Sequence, residues 1–173
     1  MLTIRTAVKA DAPVLWDAER RTAMTPGLLA SRPGEIPVQL FEEKIEALGA
    51  RGRYVVAEID GRTVGHALLE PLGSLAAIAH VFMLTIVVHP GALGQGIGSA
   101  LLGDLLDWAE HDTRVRKVEL RVRATNDRAV ALYKKLGFVE EGRFRRRIRL
   151  DDGTFIDDLS MAWFPVGDEG VRR

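Results

Sequence analysis

Gly94, Gly96 and Gly98 occupy alternate positions in the stretch HPGALGQGIGSALL, which runs from His89 to Leu102. Glycine in regular structure costs roughly 0.5–1 kcal/mol relative to alanine. A tight strand-to-helix connection packed with glycine would need one of them. Three, placed just before an amphipathic run that reads as helix from about Ile97, bring bare N–H groups to the positive end of a helix. Each N–H bond to a charged oxygen is worth roughly 1.5–3 kcal/mol, so the stretch points to phosphate binding.

Two common phosphate loops fail on spacing. A Walker loop needs G-x-x-x-x-G-K-[ST], but Gly94 is followed five residues on by Ser99 and no Lys-Ser pair follows. A dinucleotide fingerprint needs G-x-G-x-x-G, whereas GQGIGS puts Gly98 one position early. Other chemistries are also excluded. The chain has no cysteine, which removes disulfides, thiolate metal sites and a cysteine nucleophile. Ser99 is not in a G-x-S-x-G elbow, and His66, His89 and His111 lack ligand spacing, so no metal is assigned.

The elements that must position this loop follow from periodicity. Leu2 to Val8 alternates as a strand, and Asp11 with Pro13 opens a helix to about Thr22. Thr25 to Pro37 holds three prolines and two glycines and reads as a loop. Val38 to Leu48 has helical spacing, and two β-rich runs flank Asp60-Gly61 as a hairpin. Val81 to Val88 is a nearly continuous apolar run, as in a strand covered on both faces. Helix from Ile97 to about Glu110, strand Lys117 to Val122 and helix Asp127 to Leu136 follow. Strands Phe138 to Leu150 and Phe155 to Phe164 join at DDGT. The order is β-α-α-β-β-β-α-β-α-β-β. It predicts an α/β (α+β) fold with a mixed, mostly antiparallel sheet of about seven strands and helices on both faces. Residues 1–165 read as a single domain and 166–173 as a polar tail.

The totals bound the class. The 173 residues are 47% hydrophobic, enough for one sizeable core. Lys+Arg and Asp+Glu are each 24, so no net charge draws the chain to nucleic acid or a membrane. The N-terminus lacks the basic-then-apolar order of a signal peptide, and no apolar run is long enough to span a bilayer. A cytoplasmic location is the expectation.

The glycine stretch resembles the GNAT acetyltransferases, which move an acetyl group from acetyl-CoA to an amine. Their loop pattern is Arg or Gln, two residues, then Gly-x-Gly or Gly-x-Ala. Here it is Leu93-Gly94-Gln95-Gly96-Ile97-Gly98, with the first position departing. LTIVVHP (Leu84 to Pro90) is similar to the preceding strand. NDRAVALYKKLGF (Asn126 to Phe138) fits the second signature, N-x-x-A-x-x-L-Y-x-x-x-G-F. The element order agrees across nearly the whole chain. EGRFRRRIRLDDGTFIDDLSMAW resembles the C-terminal hairpin of branches acting on small amines or amino acids.

The resemblance implies a set of roles. Pantetheine of acetyl-CoA lies along Ile86, Val87 and Val88. The pyrophosphate meets the N–H groups of Leu93, Gly94, Gln95, Gly96, Ile97, Gly98 and Ser99. Asn126 caps its helix and lies near the cofactor. Tyr133 is the candidate general acid for the leaving thiolate. The branch that acetylates ribosomal-protein N-termini carries a glutamate where this chain has Arg121. His80 and Glu70 are the remaining candidate bases. The expected acceptor is a primary amine of a small molecule or amino acid. A protein lysine or N-terminal acetyltransferase and a non-catalytic acyl-CoA-binding module are the alternatives. Many family members dimerise, so a homodimer is one candidate assembly.

One basic run stays outside these roles. In RFRRRIR, Arg143, Arg145, Arg147 and Arg149 share a face at strand period. A two-residue turn at Asp152-Gly153 would set Arg147 opposite Asp158, giving cross-strand charge pairing. The alternative is an anion-binding wall for a carboxylate or phosphate on the substrate.

Overall fold

Period-2 and period-3.6 apolar patterns fold here into the elements they specify. The computed structural model describes residues 1–166. Strand β1 (Leu2–Thr6) leads through a short turn at Lys9–Asp11 into helix α1 (Ala12–Ala23). Pro13 sits in the first turn of α1, where its missing N–H is not needed. The Pro/Gly-rich loop then passes to helix α2 (Val38–Leu48). Strands β2 (Arg53–Ile59) and β3 (Arg62–Pro71) pair across Asp60-Gly61, with Ile59 facing Arg62. Then come β4 (Val81–Val88), α3 (Ile97–His111), β5 (Lys117–Arg123), α4 (Asp127–Lys135), β6 (Val139–Arg149) and β7 (Phe155–Trp163). This is the order read from the sequence.

The seven strands among the described residues form one sheet, ordered β1-β2-β3-β4-β5-β7-β6. Every neighbouring pair is antiparallel except β4 and β5. One face carries α3 and α4, where Leu101, Leu102 and Leu105 pack on Phe82, Leu84, Val118, Leu120 and Met161. The other carries α1 and α2, where Leu15, Phe41 and Leu48 pack on Tyr54, Val56 and Leu68. Strand alternation therefore turns Ile86 and Val88 toward α3, and Thr85 and Val87 toward the α1/α2 side. No helix among the described residues is long and apolar enough to cross a membrane.

Two local expectations change. The strand β4 is not covered along its whole length, since Thr85 is exposed. The reason is its parallel ladder with β5, which holds only Val81↔Lys117, Phe82↔Val118 and Met83↔Glu119 before the strands part. The C-terminal hairpin also differs. Arg149 faces Phe155, and Leu150 N–H donates to the Thr154 carbonyl at 2.9 Å. The connection is thus three residues, Asp151 to Gly153, with Gly153 at φ +85° as such turns require. Further along, β6 carries an irregularity between Phe144 and Ile148. Asp158 consequently stands opposite Phe144, not Arg147, and its carboxylate is held by buried Arg123 of β5. The polar tail expected from position 166 lies, beyond Val166, outside the described residues.

Candidate active site

The loop from β4 to α3 turns its backbone outward. Gly96 is the N-cap of α3 at φ 77°, in the left-handed region that bars most side chains, and open space surrounds it. Gly98 is needed for a different reason. A Cβ there would come within 3.1 Å of Leu132 on α4, so glycine lets the two helices approach. Among the described residues, the N–H groups of Leu93, Gly94, Gln95 and Gly96 have no hydrogen-bond acceptor. The first helical bond of α3 runs from Ala100 N–H to the Gly96 carbonyl at 3.0 Å, so Ile97, Gly98 and Ser99 also present free donors. Consecutive donors at a helix start suit an anion with several oxygens.

This loop sits at the mouth of a split in the sheet. Past Met83 and Glu119 the edge of β4 that faces β5 has no strand partner, so Leu84 to Val88 offer main-chain polar groups to an extended ligand. Ile86, Val87 and Val88 lie in that stretch and lead directly to the glycine loop.

Two signature residues of α4 are placed beside it. The Asn126 side chain accepts from Ala129 N–H at 3.2 Å and caps the helix. Tyr133 is buried against Phe138, with ring centroids 5.6 Å apart. Burial pushes its phenol up to about 12, while the nearby Arg123 guanidinium pulls the other way. It stays protonated at neutral pH and can donate. Among the described residues its hydroxyl has no protein partner.

Arg128, also on α4, lies within 3.7 Å of where a Cβ on Gly94 would be. It is exposed and has no ion-pair partner among the described residues. A guanidinium therefore stands beside the loop whose own first position is Leu93, itself 56% exposed. In the sequence, Arg128 is marked only by its third place in NDRAV.

The sequence profile of the Acetyltransferase (GNAT) family matches residues 18–138. The chain belongs to the GNAT acetyltransferase family. It is 39% identical over 130 residues to N-alpha-acetyltransferase RimI of Mycobacterium tuberculosis, covering 70% of this chain and 79% of that one. It is 32% identical over 110 residues to L-amino acid N-acetyltransferase AaaT of Escherichia coli, covering 64% and 67%. Its fold superposes with TM-score 0.86 on a GNAT phosphinothricin acetyltransferase from Sinorhizobium meliloti in complex with AcCoA, at 22% identity, covering 99% and 95%.

In this GNAT acetyltransferase the two bases read from sequence stand apart from the loop. His80 is exposed at the start of β4, the opposite end from Val88. Glu70 is bound to Lys44 of α2 at 2.9 Å. The structure instead assembles Glu19, His66 and His89 on the α1/α2 side. His89 Nδ1 lies 3.2 Å from the Thr63 carbonyl, so it must carry a proton and donate. His66 Nδ1 lies 3.0 Å from His89 Nε2, so His66 donates there. Its remaining lone pair faces Glu19 Oε2 at 3.9 Å. Burial pushes His66 down to about 3 and His89 to about 4, and it raises the Glu19 carboxyl. Both rings are therefore neutral, and the unprotonated Nε2 of His66 is turned toward the Glu19 carboxyl without bonding to it. His89 opens on a cavity of about 830 Å³ between α1, the β2–β3 turn and the glycine loop. Nothing in the spacing of residues 19, 66 and 89 announces this cluster.

Proposed function

We propose that this acetyltransferase uses acetyl-CoA and acetylates a primary amine on a small molecule or amino acid. The observation that carries the reading is the run of free N–H donors from Leu93 to Ser99, opening onto the unpaired half of β4. Those donors, with Arg128, suit a pyrophosphate. The exposed edge from Leu84 to Val88 suits an amide-bearing arm. Acetyl-CoA supplies the activated acyl carbon: its new C–N bond forms as the C–S bond breaks, one proton leaving nitrogen and one reaching sulfur.

The residues of this chain manage those protons. Tyr133, buried and protonated, donates toward sulfur. Glu19 takes the proton of the amine; His66 lies 3.9 Å from the Glu19 carboxyl, and His89, bonded to His66, lines the 830 Å³ cavity. The Glu19 side chain is 19% exposed, and burial raises the proton affinity of its carboxylate, against the pull of Lys44. The alternative acceptor is a protein N-terminal α-amine, and the 39% identity to the mycobacterial N-alpha-acetyltransferase favours it.

The test is release of CoA thiol from acetyl-CoA against free amino acids, polyamines and short peptides. Turnover of free amino acids or small amines supports the proposal. Turnover of peptides alone transfers the assignment to the second acceptor class. Binding of acetyl-CoA with no turnover reduces the chain to a binding module, and absence of binding overturns the reading.

A further inference from the structure

Charge along β5 is compensated at every position facing the α1/α2 side but one. Lys117 Nζ lies 2.8 Å from both Glu119 and Glu141, and Arg123 is paired with Asp158. Arg121, between them, has no carboxylate within salt-bridge distance among the described residues. Its guanidinium lies 4.4 Å from the centroid of the Phe144 ring on β6. The same ring receives a second guanidinium, Arg147, at 5.2 Å. Arg147 likewise has no carboxylate partner among the described residues.

The sequence alone does not bring Arg147 there. Regular alternation would point it away from Phe144, three residues earlier. The irregularity between Phe144 and Ile148 breaks the alternation, with Arg146 at φ +54° and its N–H donating to Asp157 Oδ1 at 2.7 Å. Stacking on one ring attracts each cation by about 0.5–1 kcal/mol at an exposed site but neutralises neither. Two guanidiniums without carboxylate partners on one ring keep their N–H donors for an oxyanion.

Their position gives that seat a use. Met83 and Glu119 are the last residues paired between β4 and β5. Two residues on come Thr85 and Arg121, both exposed and both on the α1/α2 side. Arg121 therefore stands on the lip of the split. The loop between α1 and α2 closes over the same end of the sheet, with Gly27 against Ile156 and Arg32 bound to Asp151 at 3.0 Å.

We propose that Arg121 and Arg147, stacked on Phe144, form the carboxylate-binding wall of the acceptor site, which makes an α-amino acid the preferred acceptor. The inference rests on the small-acceptor reading above. A carboxylate held by these guanidiniums leaves the α-amine two bonds away, at the split. The nearby positive charge also disfavours the ammonium form, which helps present the neutral amine.

The experiment compares kcat/KM for a panel of L-amino acids with that for their carboxamides. The wild-type protein is expected to favour the acids about 10- to 100-fold. Arg147→Gln and Arg121→Gln should each collapse the acid-to-amide ratio at least tenfold, mainly through KM for the acid. Phe144→Leu should do so partially. Equal use of acids and amides by the wild type, or an unchanged ratio in both arginine variants, overturns the wall. A second readout stands apart from turnover: calorimetric titration of the N-acetylated L-amino acids into the CoA-loaded protein. Binding in the wild type and its loss in Arg147→Gln supports the wall even where no amine is acetylated, a result that counts against the proposed function alone. Absence of binding in the wild type counts against the wall.

Discussion

His66 Nδ1 and His89 Nε2 meet at 3.0 Å, and the Thr63 carbonyl beyond them fixes which nitrogen of each ring carries hydrogen. Both rings fold in the neutral form, with affinities for protons pushed down to about 3 and about 4 by burial. An unfolded chain protonates them near 6.5. Between those values the unfolded state binds more protons, so stability is full above about pH 6.5 and falls as pH drops toward 4. Glu19, raised by burial, acts in the opposite sense but is one group against two. Urea denaturation at pH 7, 6 and 5 should show a falling midpoint, and His89→Gln should make the fall shallower. A flat profile in the wild type would contradict the neutral pair.

Glu19→Gln keeps size and polarity while removing the proposed base. It should lower kcat about 100-fold, leave KM for acetyl-CoA within about threefold, and abolish the acidic limb of the kcat profile. A variant whose acidic limb survives would leave Glu19 a structural group.

Arg128 stands where Leu93 leaves a gap in positive charge. Arg128→Gln should weaken CoA binding about tenfold and make it less sensitive to salt, as expected for one lost charge-assisted contact. Leu93→Arg in that background should restore much of the affinity. Calorimetry with CoA at two ionic strengths measures both effects; a loss that Leu93→Arg leaves untouched would place the Arg128 contribution elsewhere.

Tyr133→Phe removes the hydroxyl and keeps the ring against Phe138. The expected result is a fall of about 100-fold in kcat with little change in CoA affinity. An unchanged kcat would exclude Tyr133 as the proton donor.

Much of this architecture could be read from one chain because its signals are local. Val38–Leu48 is helical at the residues its spacing marks, and Asp60-Gly61 makes the tight hairpin its two residue types favour. The glycine loop is equally local, since the left-handed N-cap at Gly96 and the unpaired donors of a helix start both follow from a short run of residues. The missed features depend on distance or on register. Glu19, His66 and His89 meet only because α1 lies over β3 and the end of β4. One extra residue in the Asp151–Gly153 turn and a bulge in β6 moved Asp158 from Arg147 to Phe144. A shift of one residue reverses the faces of a strand, and no composition rule predicts it.

The last strand among the described residues, β7, is an interior one, wedged between β5 and β6. It brings Asp158 to Arg123, and the ring of Phe144 reaches Arg121 from its far side. Strands β1 to β4 pair with neighbours in chain order, whereas β6 has no partner until β7 enters between it and β5. The half of the sheet that carries Arg121 and Phe144 therefore closes only by a non-sequential insertion, the slower kind of strand pairing.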